Sequence, residues 1–131
     1  MIKVAINGFG RIGRRVFKLL QDYKNIQIVA INDLADAKTL SHLLKYDSVH
    51  GLFNGTVSFD DNHIIVNDKS IPLLNSNHPK HIDWSAFNID FVIEASGKFK
   101  TITDLQHHIN NGAKRVILSV PPETVRLSPA V

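Results

Sequence analysis

The chain has 131 residues, 44% of them hydrophobic, a length and apolar content that suit one globular domain around a single core. Fifteen Lys and Arg against twelve Asp and Glu leave a formal charge of +3, and only Arg11, Arg14, Arg15 and Lys18 are grouped, so nucleic acid binding is not indicated. The absence of Cys removes disulfides, Cys-ligated metals and a thiol nucleophile from these residues; with no signal-peptide pattern and no apolar run of membrane-spanning length, a cytoplasmic location without membrane contact is expected.

Residues 2–6 form a short β-branched run broken by a glycine cluster, which reads as a buried strand. Ile12, Val16, Leu19, Leu20 and Tyr23 then recur on one face of a helix, with Arg14, Arg15, Lys18 and Asp22 facing elsewhere. Residues 26–32, IQIVAIN, are a second, nearly continuous apolar strand of the kind found in a parallel sheet covered on both sides. Asp36 is placed to cap a second helix with a Leu40, Leu43, Leu44 stripe.

Residues 56–59, 63–66 and 70–74 are short β-type runs separated by Asp60-Asp61-Asn62 and Asn67-Asp68, the pattern of a meander of hairpins. Pro72 suggests an edge position for the last of them. The strand–helix rhythm resumes with Phe91-Val92-Ile93, followed by a helix opened by Thr101 and Asp104 with the spacing of a variant capping box and stopped near Gly112. Residues 115–120 complete the pattern as a last parallel strand. The fold class expected is α/β, a Rossmann-like, doubly wound and mostly parallel sheet with a β-hairpin excursion. Residues 1–123 make up this unit, incomplete at its carboxyl end, and residues 124–131 are a tail without a clear period.

Gly8, Gly10 and Gly13 make a GxGxxG pattern at the turn from the first strand into the first helix. The first glycine permits the turn, the second lets backbone approach a pyrophosphate, and the third lets helix and strand pack closely. Backbone N–H groups around Arg11 and Ile12 then face the phosphate charge. Asp33 directly follows the second strand, twenty residues after Gly13, where an acid accepts hydrogen bonds from a ribose diol and repels a 2′-phosphate. NAD is favoured over NADP. The plainer reading is a tight turn followed by a loop-capping acid. Ser96, Gly97 and Ser119 lie at the ends of later strands, where a sheet of this kind binds its ligand, and are otherwise ordinary strand-to-loop residues.

The segments NGFGRIGR, NDLADAKTLSHLLKYDSVHG, EASGKF and NGAKRVILSVP closely resemble the amino-terminal part of the NAD-dependent, phosphorylating glyceraldehyde-3-phosphate dehydrogenase family, and together span nearly all of residues 2–121. The middle block, with Tyr46, Asp47, Ser48, His50 and Gly51, is far more specific than a general dinucleotide fingerprint. The resemblance implies cofactor contacts at Asn7, Gly8, Phe9, Gly10, Arg11, Ile12, Gly13, Asp33, Leu34, Asn77, Ser96, Gly97, Phe99 and Ser119. The family often carries a basic residue at the position of Asn77 and threonine at that of Ser96.

In the family a cysteine thiolate in a Ser-Cys-Thr-Thr-Asn motif attacks the aldehyde, a histidine of the following domain assists, and phosphate releases the acyl group as 1,3-bisphosphoglycerate. Neither that motif nor that domain is present in these residues. The resemblance therefore implies a fragment or truncated form that binds NAD and is inactive alone, from a complete glycolytic oxidoreductase that forms homotetramers. None of the seven His, including the close pairs His78 and His81 and His107 and His108, is assigned to catalysis or metal, and Trp84 is read as packing. The alternative is a non-catalytic protein- or RNA-interaction module on the same scaffold.

Overall fold

The computed structural model describes residues 1–46, 53 and 55–119. Among them are seven strands, β1 (Ile2–Asn7), β2 (Ile26–Asn32), β3 (Val57–Asp60), β4 (His63–Val66), β5 (Lys69–Leu74), β6 (Phe91–Glu94) and β7 (Arg115–Leu118), and three α-helices, α1 (Arg11–Leu20), α2 (Ala37–Tyr46) and α3 (Ile102–Asn110). The strands form one sheet in the order β3-β4-β5-β2-β1-β6-β7. β5, β2, β1, β6 and β7 pair in parallel, whereas β3, β4 and β5 form an antiparallel meander. This is the expected α/β architecture with its hairpin excursion.

Residues of the central strands alternate between two apolar layers, except at the register shift that skips Val29 in β2 and so leaves Ile28 and Ile31 on the same face. On one face Val4, Ile6, Ile28, Ile31 and Ile93 pack with Phe9, Phe17 of α1 and Leu40 and Leu44 of α2. On the other face Ala5, Ala30 and Val92 pack with Ile82, Trp84, Ile89 and Ala113. The Phe9 and Phe17 rings meet edge-on at 5.6 Å, a geometry worth about 0.5–1.5 kcal/mol beyond area burial.

α1 is turned relative to its expected face. Gly13, Arg14 and Phe17 are buried, Val16 and Leu20 are half-buried, and Ile12, Leu19 and Tyr23 are exposed; Tyr23 lies beyond the end of the helix. The close approach at Gly13 sets this rotation, since a methyl there would collide with the Gly8 carbonyl oxygen and press on Ile6. Arg14, expected to face away, runs inward and donates from Nη1 to the Phe9 carbonyl at 3.0 Å. In α2, Asp36 caps as expected by accepting the Thr39 N–H at 2.8 Å, but Leu43 is exposed and Ala37 and Ser41 share the buried face with Leu40 and Leu44.

Pro72 does not make β5 an edge strand, because β5 lies between β4 and β2. The Leu73 N–H donates to Asn62 O on the β4 side, so the adjacent Pro72 nitrogen faces β2, whose pairing begins only at Leu73. The missing donor thus falls where no ladder bond is needed. Asn67 and Asp68, at φ 50 and 68, make the two-residue turn between β4 and β5 with both φ positive, as a type I′ hairpin demands. Thr101 caps α3 by accepting the Asp104 N–H at 3.1 Å, while the Asp104 carboxylate turns to His78 at 3.8 Å. Two short 3-10 turns, Pro79–His81 and Ser85–Phe87, carry the chain from the meander to β6. The expectations at Asp47, Ser48, His50 and Gly51, and those for residue 120 and the tail 124–131, lie outside the described residues.

Candidate functional site

β1 ends at Asn7, and the chain reverses through Gly8, whose φ of +96 is a conformation that an L side chain rarely adopts. Gly8 donates to the Asn32 carbonyl at 2.8 Å and lies so close to the segment just past β6 that a methyl carbon on it would fall 2.5 Å from Ser96 Cα. Gly10 follows as the N-cap of α1, without a side-chain cap hydrogen bond and with no acidic residue in the first turn of the helix. A methyl on Gly10 would meet nothing within 4 Å. The head of α1 therefore presents backbone donors and the positive end of its dipole to open space, which fits an incoming anion.

Asp33 is fixed beside this loop. Its Oδ2 accepts the Phe9 N–H at 2.7 Å and its Oδ1 accepts the Ala35 N–H at 2.9 Å. Each oxygen keeps a further lone pair, so a half-buried carboxylate of fixed orientation is available to a diol.

A cleft of about 180 Å³ opens at the carboxyl ends of the parallel strands, lined by Asn7, Gly8, Gly10, Asn32, Asp33, Leu34, Ser76, Asn77, Ala95, Ser96, Lys98 and Phe99. Eight of the expected site residues are thus brought to one place: Asn7, Gly8, Gly10, Asp33, Leu34, Asn77, Ser96 and Phe99. Arg11 and Ile12 stand exposed at the head of α1, Gly13 is buried beneath the loop, and Gly97 is exposed just past Ser96. Phe9 does not line the cleft; its ring is wholly buried in the core and only its backbone faces Asp33. Ser119 also stands off the cleft, its hydroxyl donating to the Glu94 carbonyl at 3.1 Å.

Sequence reasoning missed Asn32, Ser76, Ala95 and Lys98, which complete the lining. Two of them carried a signal: Asn32 is a polar residue closing an apolar strand next to Asp33, and Lys98 is a cation just past the strand end at Ser96. On the outer side of Phe99, His78 lies edge-on at 4.9 Å, with His107 and His81 beyond it at 5.5 and 6.4 Å. Among the described residues no group of three or more His, Cys, Asp or Glu is placed to hold a metal ion.

The family model for the glyceraldehyde 3-phosphate dehydrogenase NAD binding domain matches residues 2–102. The chain belongs to this family. It is 46% identical over 121 residues to glyceraldehyde-3-phosphate dehydrogenase 1 of Bacillus cereus, covering 92% of this chain and 36% of that protein. It is 48% identical over 123 residues to the Thermotoga maritima glyceraldehyde-3-phosphate dehydrogenase, covering 92% and 37%, and 47% identical over 120 residues to that of Geobacillus stearothermophilus, covering 92% and 36%. The chain spans little more than a third of the length of these relatives. NAD is the cofactor of this family domain, and the open helix head, the oriented acid and the cleft between them suit it. No helix among the described residues is long and apolar enough to cross a membrane.

Proposed function

We propose that this chain holds NAD across the carboxyl ends of β1, β2 and β6, with its pyrophosphate over the N–H groups of Gly10, Arg11 and Ile12 and its adenosine ribose on Asp33. The observation that carries the reading is the Asp33 carboxylate, gripped by backbone donors from Phe9 and Ala35 at the lip of a cleft whose other side is the uncapped head of α1. Leu34, Asn77 and Phe99 frame the adenine side, while Asn7, Ser96, Gly97 and Ser119 belong to the side nearer β6; Phe9 contributes backbone and Gly13 close packing. At about 180 Å³ the cleft is smaller than the roughly 300–1,000 Å³ typical of a site enclosing a whole ligand. It receives part of the dinucleotide, and the remainder lies along the open sheet end.

Residues 1–123 form the NAD-binding unit of a dehydrogenase that oxidises and phosphorylates glyceraldehyde 3-phosphate to 1,3-bisphosphoglycerate in glycolysis, in the cytoplasm and as a homotetramer. The support is the family match and the identity to enzymes of that name. Bound NAD supplies the hydride acceptor; the residues described here bind and orient it, and the nucleophile of that reaction is not among them because the chain has no Cys. Titrating the chain with NAD in a calorimeter tests the site. Saturable one-to-one binding that Asp33→Ala weakens at least tenfold is expected, and equal binding by wild type and variant would remove Asp33 from the site.

A further inference from the structure

Beneath the cleft, three polar side chains occupy one row across adjacent strands: Asn32, Asn7 and Glu94 are register partners at the last paired positions of β2, β1 and β6. All three are buried, and Glu94 is fully enclosed. They are bonded to one another and to two fully buried side chains that do not line the cleft, Trp84 and His108.

Trp84 fixes the direction of the bonds at His108, because an indole can only donate, and the Ser76 backbone fixes the Asn32 amide at the other end of the row. The Trp84 Nε1–H goes to His108 Nδ1 at 2.9 Å, so Nδ1 is the accepting nitrogen and Nε2 carries the proton that reaches Glu94 Oε1 at 2.8 Å. The same Oε1 accepts Asn7 Nδ2 at 2.7 Å, while Oε2 accepts the Ser96 N–H at 3.0 Å and the Ser96 hydroxyl at 2.6 Å. On the other flank Asn7 Oδ1 accepts Asn32 Nδ2 at 2.7 Å, and Asn32 grips the Ser76 backbone from both ends of its amide, at 2.9 and 3.0 Å.

Two consequences reach the cleft. Ser76 and Ser96 lie on its lining, so the row ties together the loops that follow β5 and β6. The Ser96 proton is committed to Glu94 and the hydroxyl also accepts the Lys98 N–H at 3.2 Å, so toward the cleft Ser96 offers a lone pair and no donor. A ligand meets it with a hydroxyl or an amide N–H.

We infer that Glu94, His108 and Trp84 are positioning residues of the NAD site: the buried relay from the Trp84 indole to Ser96 and Ser76 sets the polarity of the Ser96 hydroxyl and the spacing of the two loops. This rests on the NAD-site reading above. Removing the indole donor leaves the buried His108 Nδ1 without a partner and loosens the ring that donates to Glu94, and Glu94→Gln replaces an all-acceptor group with one that must present an amide donor to other donors. Either change reaches the cleft from residues that do not touch it.

The test uses the full chain, NAD titrations of Trp84→Phe, Ser96→Ala and their double variant, and nitrogen NMR of the wild type. Trp84→Phe is expected to weaken NAD about tenfold, the equivalent of one hydrogen bond. The double variant is expected to be little weaker than Ser96→Ala alone, because the arm of the row that starts at Trp84 meets the cleft at the Ser96 hydroxyl, whereas Ser76 is held from the Asn32 end. In the wild type, His108 is expected as the Nε2–H tautomer, and saturating NAD shifts the indole N–H resonance of the single Trp although its side chain is fully buried. Wild-type affinity in a folded Trp84→Phe, additive losses in the double variant, or an indole resonance unmoved by bound NAD overturns the inference and leaves the NAD site standing. If Trp84→Phe does not fold, the wild-type resonance decides alone. A folded wild type that takes up no NAD overturns both readings.

Discussion

Gly8 and Gly10 are two residues apart in one loop, yet alanine at each should do opposite things. At Gly8 the added carbon would fall 2.5 Å from Ser96 Cα, 2.6 Å from Ser96 N and 2.9 Å from the Ala95 carbonyl carbon, all of them backbone. Carbon atoms prefer about 3.5–4.0 Å, so the Ala95-Ser96 backbone and the glycine loop must separate by roughly 1 Å. Such overpacking costs about 1–3 kcal/mol, and an L residue held at φ +96 costs a further 1–3 kcal/mol or so. The sum, about 2–6 kcal/mol, is comparable to much of a small domain's total stability.

At Gly10 the carbon enters open space at φ −77. The loss from placing alanine at a helix N-cap, up to about 1 kcal/mol, is offset by the about 0.4–1 kcal/mol gained from a less flexible unfolded chain. Urea melts should therefore show Gly8→Ala strongly destabilised and Gly10→Ala within about 1 kcal/mol of wild type. The same methyl would stand in the proposed pyrophosphate site, so calorimetry should show Gly10→Ala binding NAD at least tenfold more weakly. A Gly8→Ala melt superimposable on wild type would refute the steric argument, and undiminished NAD binding by Gly10→Ala would refute the phosphate assignment.

Three smaller effects are expected elsewhere in the molecule. Asp33→Asn removes the charge that repels a 2′-phosphate, so the ratio of NAD to NADP affinities should fall by about tenfold or more in competition titrations. Thr101→Ala removes the cap of α3 and should lower stability by about 1 kcal/mol in chemical denaturation. The Lys3 N–H, with Lys114 beside it, holds the Asp90 carboxyl below its ordinary pKa, so its stabilisation is complete above the unfolded value near 4 and is lost as pH falls through the lower folded value. The difference in urea midpoint between wild type and Asp90→Asn should accordingly be constant near pH 6 and shrink below about pH 4.

The strand and helix order was legible because each parallel strand is a short apolar run and each connection carries its own punctuation, from the Asp36 and Thr101 caps to the Asn67-Asp68 turn. Helix rotation was not. Ile12, Leu19 and Tyr23 satisfy the helical period, but the contact of Gly13 with Gly8 decides which stripe faces the sheet, and a glycine contributes nothing to a hydrophobic pattern. Pro72 misled for a related reason: which side of a strand lacks a partner depends on where the neighbouring pairing begins, a tertiary fact.

The fingerprint glycines and Asp33 could be found because their spacing along one β-α-β unit is fixed by local geometry. Glu94, His108 and Trp84 converge from β6, α3 and the segment between the two 3-10 turns, so no short-range spacing announces them. One signal was available. A carboxylate closing the apolar run Phe91-Val92-Ile93 cannot be buried without donors, which implies polar partners on the elements packed against that strand.

A crystal structure of the chain with NAD would show where the cofactor lies. The pyrophosphate is expected on the N–H groups at the head of α1, both adenosine ribose hydroxyls on Asp33, and the Ser96 oxygen as the acceptor in any bond it makes to the cofactor. NAD bound elsewhere on the fold, or lying in the cleft with Asp33 turned away from the ribose, would contradict this placement.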